Sequence, residues 1–230
     1  MIKYPETILA TTSLEDTWGA DQNILFLGEW CKKYSRRHVW EQRKSSTQIF
    51  HWADRSKLAR DHKYLAELHE RVLSWLSDEL NRIHDVNHSN RYWRIILGPW
   101  LLTFIPAVWS NWEQIRRALD EYPNISVVCP EGKVPWFVPR DSLTAEIWTF
   151  NDEWNYLVCL SILRGVKGDR VTFLQASVAL DFINNVRQNR KYSFKHKIAR
   201  FFDSLLGLLH FRRDYQVVIF DSYFPITRLL

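Results

Sequence analysis

Short uninterrupted apolar runs alternate along this chain with long stretches of helical spacing. Thr7–Thr12 (TILATT) and Asn23–Gly28 (NILFLG) lack polar alternation, as expected of strands buried on both faces. Ile125–Cys129 (ISVVC) is short and β-branched, and Gln216–Phe220 (QVVIF) is the clearest strand in the sequence. The segments between them are long, and parallel neighbours need crossovers of a dozen or more residues. The four strands are therefore expected in one largely parallel sheet.

The longest helical pattern runs from about Asp54 to His84, with Leu58, Leu65, Leu68, Val72, Leu76, Leu80 and Ile83 on one stripe and charges elsewhere. After a turn at Asp85–Asn90, with Asn90 a possible N-cap, a second apolar helical stretch covers Arg91–Leu119. Pro99 and Pro106 should break or kink it, because proline lacks an amide donor and clashes with the preceding turn. Its apolar run Ile95–Trp109 has 15 residues, short of the roughly 20 needed to span a bilayer, and reads as a buried core segment. Cys31–His51 has no period and reads as an exposed excursion. Asp141 or Ser142 can cap a helical turn, Asp152–Leu163 is a further helix, Leu174–Asn184 is weakly helical, and Tyr192–His210 is amphipathic and basic. The whole is expected to be one Rossmann-like α/β domain over residues 1–230, a mostly parallel sheet flanked by helices, with residues 32–122 a largely helical insertion or crossover. Ser222 and Pro225 resemble the entry to a new helix five residues before the last residue, so the chain is expected to be the N-terminal portion of a longer protein.

Composition supports a sizeable core: 46% of the 230 residues are hydrophobic, with 12 Trp and 13 Phe. Seven Gly and eight Pro argue against a turn-dense all-β fold. A net charge of +5 and a pI near 9.1 permit acidic lipids, phosphates or nucleic acid as partners. Nucleic acid ranks last, because acids alternate with the basic residues and no RNP, helix-turn-helix or zinc-finger pattern occurs. Cys31, Cys129 and Cys159 are widely spaced and odd in number, as in a reducing compartment, and the first residues have no signal-peptide core. The expected location is cytoplasmic, with peripheral contact at an acidic inner membrane.

No phosphate-loop, dinucleotide, zinc-protease, nucleophile-elbow or EF-hand spacing is present, and no metal site is expected. What remains are the strand ends, where open α/β sheets bind ligands. Glu29, Glu131 and Asp221 each follow an expected strand, and a carboxylate placed there can deprotonate an acceptor hydroxyl. Gly28 is expected to turn the chain sharply and Trp30 to exclude water, making Glu29 the catalytic base. The alternative is that Glu29 pairs with Arg36 or Arg37. Gly28, Trp30, Arg91, Trp100, Glu131, Asp221, Ser222 and Tyr223 complete the candidate substrate-binding set.

Three blocks, Leu9–Trp18, Ile24–Cys31 and Arg91–Leu101, resemble the N-terminal half of a family of bacterial transferases from surface-polysaccharide and lipopolysaccharide O-antigen gene clusters. Asp221-Ser222-Tyr223-Phe224-Pro225 fits the same pattern. The resemblance implies a glycosyltransferase-like enzyme of two Rossmann-type domains, this chain being the acceptor-side domain, without a cofactor of its own. A nucleotide-sugar co-substrate would bind mainly in the C-terminal half, so residues 1–230 alone are expected to be inactive. The acceptor would be a glycan or a lipid-linked glycan. A non-catalytic binding or scaffold module of a polysaccharide assembly system is the competing reading.

Overall fold

The computed structural model describes residues 7–183, except 21, 123, 133–136, 140 and 167–169. These residues belong to one of two units of the chain, Met1–Asn185; the other, Val186–Leu230, contains the expected Gln216–Phe220 strand and Tyr192–His210 helix and lies outside the described residues.

Five strands, β1 (Thr7–Ala10), β2 (Asn23–Phe26), β3 (Ser45–Thr47), β4 (Ile125–Pro130) and β5 (Val171–Ala176), form one sheet in the order β3-β2-β1-β4-β5. Every pairing is parallel. The α/β fold is therefore as the apolar runs imply, and the strand order is that of a doubly wound Rossmann sheet. The three central strands are buried almost throughout, because helices cover both faces and leave no wet side to favour polar alternation.

Two strands differ from expectation. β3, Ser-Ser-Thr, lies inside the expected excursion; as a polar edge strand it has no apolar signature, and the parallel partner β2 defines it. β5 takes Leu174–Ala176 from the stretch read as helical, and helix begins only at Asp181. Six consecutive register pairs with β4, from Ile125–Val171 to Pro130–Ala176, override the weak local preference of that edge segment.

The helices are α1 (Arg37–Trp40), α2 (Arg55–His84), α3 (Asn90–Glu121), α4 (Ser142–Thr149) and α5 (Asp152–Gly165). Asp54, Asp141 and Asn151 cap α2, α4 and α5 by accepting backbone N–H bonds. Ser89, rather than Asn90, caps α3. The α2–α3 hairpin turns on Asp85, which adopts the left-handed conformation (φ 52°), and is tied by Asn81, whose side chain bonds the His88 backbone and the Trp93 indole. The hairpin has its own core of Leu65, Leu73, Trp93, Leu101 and Ile105. Ile83, expected on the packed stripe, is exposed.

α3 also departs from expectation, since it runs 32 residues without a break through Pro99 and Pro106. Each proline leaves the carbonyl one turn earlier without a helical donor, at Ile95 and Leu102, and both residues are well exposed (70% and 65%). Among the described residues α3 alone is long and apolar enough to cross a membrane, and only 17% of its most apolar window is buried. Ile95–Trp109 is thus not a fully buried core segment: one face packs on α2, Phe104 and Val108 pack against the main core, and Ile95, Ile96 and Leu102 are exposed.

Candidate functional site

The order of the sheet reverses between β1 and β4, and ligands of open α/β sheets bind outside the carboxyl ends of the strands at such a switch. The segment leaving β1 there is Thr11-Thr12-Ser13. Two indoles fix its backbone: Trp30 Nε1 donates to the Thr11 carbonyl at 3.1 Å, and Trp18 Nε1 to the Thr12 carbonyl at 3.2 Å. The Thr12 hydroxyl is buried with no hydrogen-bond partner among the described residues. Ser13 Oγ donates at 2.7 Å to Asp152 Oδ2 in the first turn of α5, and Lys33 Nζ reaches the same oxygen. Three segments far apart in sequence thus meet on one carboxylate.

Around this point the basic cluster 32–37 is neutralised internally. Lys32 pairs with Glu29 (2.9 Å), Lys33 with Asp152, Arg36 with Glu15 (2.6 Å) and Arg37 with Glu41 (2.6 Å). The hydrogen-bonded Arg36 guanidinium holds the Glu15 carboxyl below its usual range. Beneath the site, burial pushes the Cys31 thiol up to about 12 and raises Cys159 as well, so both act as packing groups rather than nucleophiles.

The hairpin is locked to the same edge. Gln114 of α3, fully buried, donates from Nε2 to the Leu27 and Ile49 carbonyls (2.9 and 3.0 Å) and accepts from His51 N at 3.0 Å. His51 Nε2 lies 3.0 Å from Ser110 Oγ. Burial, with the Lys57 charge adding to it, lowers the His51 pKa to about 4, so the ring is neutral at pH 7. Its Nδ1 stands 3.9 Å from Asp61, too far for a hydrogen bond, and Asp61 is held instead by Lys57 and the Trp52 indole.

The residues singled out in the sequence fall in three places. Gly28, Glu29 and Trp30 lie at the carboxyl edge beside Thr11. Gly28 has an extended backbone (φ −176°) that any residue adopts; its role is spatial, because a Cβ there would stand 2.1–2.5 Å from the Trp30 ring. Trp30 packs over Gly28 and against Phe50 (6.0 Å between ring centroids), leaving the Glu29 carboxylate 79% exposed and paired with Lys32, not with Arg36 or Arg37. Glu131, exposed, follows β4 on the other side of the switch. Arg91 and Trp100 belong to the hairpin, where Trp100 stacks on Phe104 at 4.7 Å. Asp221, Ser222 and Tyr223 lie outside the described residues.

Sequence reasoning missed Thr12, Ser13, Lys33 and Asp152. Asp152 reads locally as the start of a helix, and only the strand order joins it to Ser13 across 139 positions. Among the described residues no group of three or more His, Cys, Asp or Glu could hold a metal ion.

No curated protein and no solved structure matches this chain. The model of one protein family, the LIC12162 family transferases, matches it over residues 7–230, which is nearly its whole length; the chain belongs to that family.

Proposed function

We propose that this transferase-family chain is the acceptor-side domain of a glycosyltransferase of bacterial surface-polysaccharide synthesis, working at the inner face of the cell membrane. The carrying observation is the β1/β4 switch point, where a buried unpartnered hydroxyl (Thr12), a Ser13–Asp152–Lys33 cluster and an aromatic wall (Trp30) sit at the edge that binds ligands in such sheets. The acceptor is a glycan or a lipid-linked glycan, and the donor is a nucleotide sugar held mainly by a second Rossmann-type half.

Two carboxylates are candidates for the base that deprotonates the acceptor hydroxyl. Glu29 is accessible, its carboxylate 79% exposed and paired with Lys32. Asp152 is more enclosed (26% exposed), and Ser13 and Lys33 fix its orientation. Glu131, across the switch, and Asp221-Ser222-Tyr223 are assigned to substrate contact, and Trp30 to stacking on a sugar ring.

The test is transfer of labelled sugar from a panel of nucleotide sugars to glycan and isoprenyl-phosphate-linked acceptors, comparing the protein joined to its donor half with residues 1–230 alone. Turnover in the joined protein, lost on substitution at the switch point, supports the reading. Joined protein that binds the acceptor but never transfers sugar favours the scaffold reading instead.

A further inference from the structure

The chain leaves β3 along the same carboxyl edge that carries the switch point, and hydrogen bonds fix its path there. Gln48, buried, donates from its backbone N to the Phe26 carbonyl at 2.9 Å, which extends the β2–β3 pairing by one residue. Gln114 Nε2 then donates to the Ile49 carbonyl and Gln114 Oε1 accepts from His51 N, so the backbone is clamped on both sides of Phe50. A short 3₁₀ turn, His51–Ala53, follows, with Ala53 N donating back to the Phe50 carbonyl at 2.9 Å. The His51 ring goes inward, whereas Phe50 is 40% exposed and Ile49 70% exposed.

Beside Phe50, at the end of β2, Trp30 is also 40% exposed, and its bond to the Thr11 carbonyl holds the indole in place. The Trp30 and Phe50 rings stand 6.0 Å apart at 85°, a corner of two aromatic walls. Packing accounts for part of Phe50, whose other ring neighbours are His51 at 4.9 Å and Trp52 at 5.8 Å. It does not account for leaving two large rings and Ile49 partly in water at the edge where open α/β sheets take ligands, a cost that burial against a ligand recovers. β3 lies two strands from β1, roughly 10 Å at the usual strand spacing. Phe50 therefore reaches a different part of a ligand from the groups at Thr12, Ser13 and Asp152.

The surroundings select the chemistry of that part. Lys32, Lys33, Arg36 and Arg37 each pair with a carboxylate, so a phosphate at this corner would have to break an ion pair to gain one. An alkyl chain would desolvate the Glu29–Lys32 pair beside Trp30 and give it no hydrogen bond in return. A flat nucleobase cannot lie parallel to two rings set at 85°. A pyranose has apolar C–H groups to set against the aromatic rings, and hydroxyls that can donate to the Glu29 carboxylate and accept from Lys32. We propose that Trp30 and Phe50 form a subsite for an uncharged pyranose unit of the acceptor glycan, next to the unit that reacts at the switch point. The acceptor chain then runs along the carboxyl edge from β1 over β2 to β3. This deepens the glycosyltransferase reading, on which the ligand's role as acceptor rests, but its test reads sugar binding and not turnover.

The test is saturation-transfer difference NMR on this chain, with maltotriose, chitotriose and mannotriose as probes and uridine and decanoic acid as comparators. Saturable transfer to the ring C–H protons of at least one trisaccharide is expected. Phe50→Leu keeps an apolar side chain at a half-exposed position, so circular dichroism should be unchanged, while that binding weakens about two- to tenfold, the size of one aromatic contact. Phe50→Tyr keeps the ring and should bind as wild type does. Absence of transfer to all three trisaccharides, equal binding by wild type and Phe50→Leu, or a loss in Phe50→Tyr as large as in Phe50→Leu overturns the proposal. So does Phe50-dependent binding of uridine or decanoic acid in preference to every trisaccharide, which would make a nucleobase or a lipid the occupant. Trisaccharide binding that depends on Phe50, in a chain that never transfers sugar when combined with a donor-binding half, would leave the subsite standing and remove the glycosyltransferase reading.

Discussion

The indole of Trp30 lies across Gly28 and donates to the Thr11 carbonyl, so one side chain bridges the carboxyl ends of β2 and β1. Gly28→Ala introduces no backbone strain, since the position is extended, but its methyl group occupies the space of the ring. Displacing the ring should cost about 1–3 kcal/mol by overpacking and loss of the hydrogen bond. In a Trp30→Ala background the same substitution should be nearly neutral. A double-mutant cycle by urea denaturation checks this, and additive costs would show that Gly28 serves something other than Trp30.

Gln114 satisfies two carbonyls and one N–H at the base of the hairpin. Gln114→Leu keeps the approximate volume and leaves those groups buried without partners, which should destabilise the chain by roughly 2–4 kcal/mol. Thermal and urea unfolding measure it; a change below about 0.5 kcal/mol would mean that water replaces the amide.

His51 gives the fold a pH dependence. Its folded pKa, about 4, lies below the 6.5 of an unfolded histidine, so the unfolded chain takes up the proton first on acidification. The stability contributed by neutral His51 is fully present above pH 6.5 and is lost as pH falls from there toward 4. The side chain is fully buried, and the gap between the folded and unfolded values sets a ceiling of roughly 3 kcal/mol on that loss. His51→Gln should flatten the stability curve between pH 6.5 and 4 relative to wild type. An unchanged slope would place the acid sensitivity of that window elsewhere; Glu70, which Arg94 holds at about 2, acts only below its usual 4.5.

The two candidate bases separate by substitution in the active form proposed above, this chain together with a donor-binding half. The true base, changed to its amide, should lose roughly 10²–10⁴-fold in turnover with little change in melting temperature. If Glu29→Gln is silent and Asp152→Asn shows that loss, the enclosed carboxylate is the base; the reverse assigns Glu29. Asp152→Asn also frees Lys33, so Lys33→Ala serves as the control for a merely electrostatic effect.

What was legible in the sequence follows from how each element is stabilised. β1, β2 and β4 are buried on both faces, and their apolar runs say so directly. β3 and β5 are edge strands defined by a neighbour's hydrogen bonds, which Ser45-Ser46-Thr47 does not advertise. α2 and α3 announced themselves by spacing, yet the continuity of α3 through two prolines depends on the exposure of Ile95 and Leu102, a tertiary property. The edge carrying the candidate site was visible in Gly28-Glu29-Trp30. Its centre was not, because Ser13, Lys33 and Asp152 carry ordinary local meanings and become a cluster only through the crossing from β1 to β4.

The central claim, that substrate binds at the β1/β4 switch, is tested most directly by amide hydrogen exchange with mass spectrometry, on this chain together with the proposed donor-binding half. The protein would be compared with and without a nucleotide-sugar panel plus an isoprenyl-phosphate-linked acceptor. The account predicts protection of residues 11–15, 28–36, 131–132 and 150–153, reduced by Asp152→Asn. Protection confined to the opposite edge, at Thr7, Asn23 and Asn124, or no protection at the switch by any member of the panel, would contradict it.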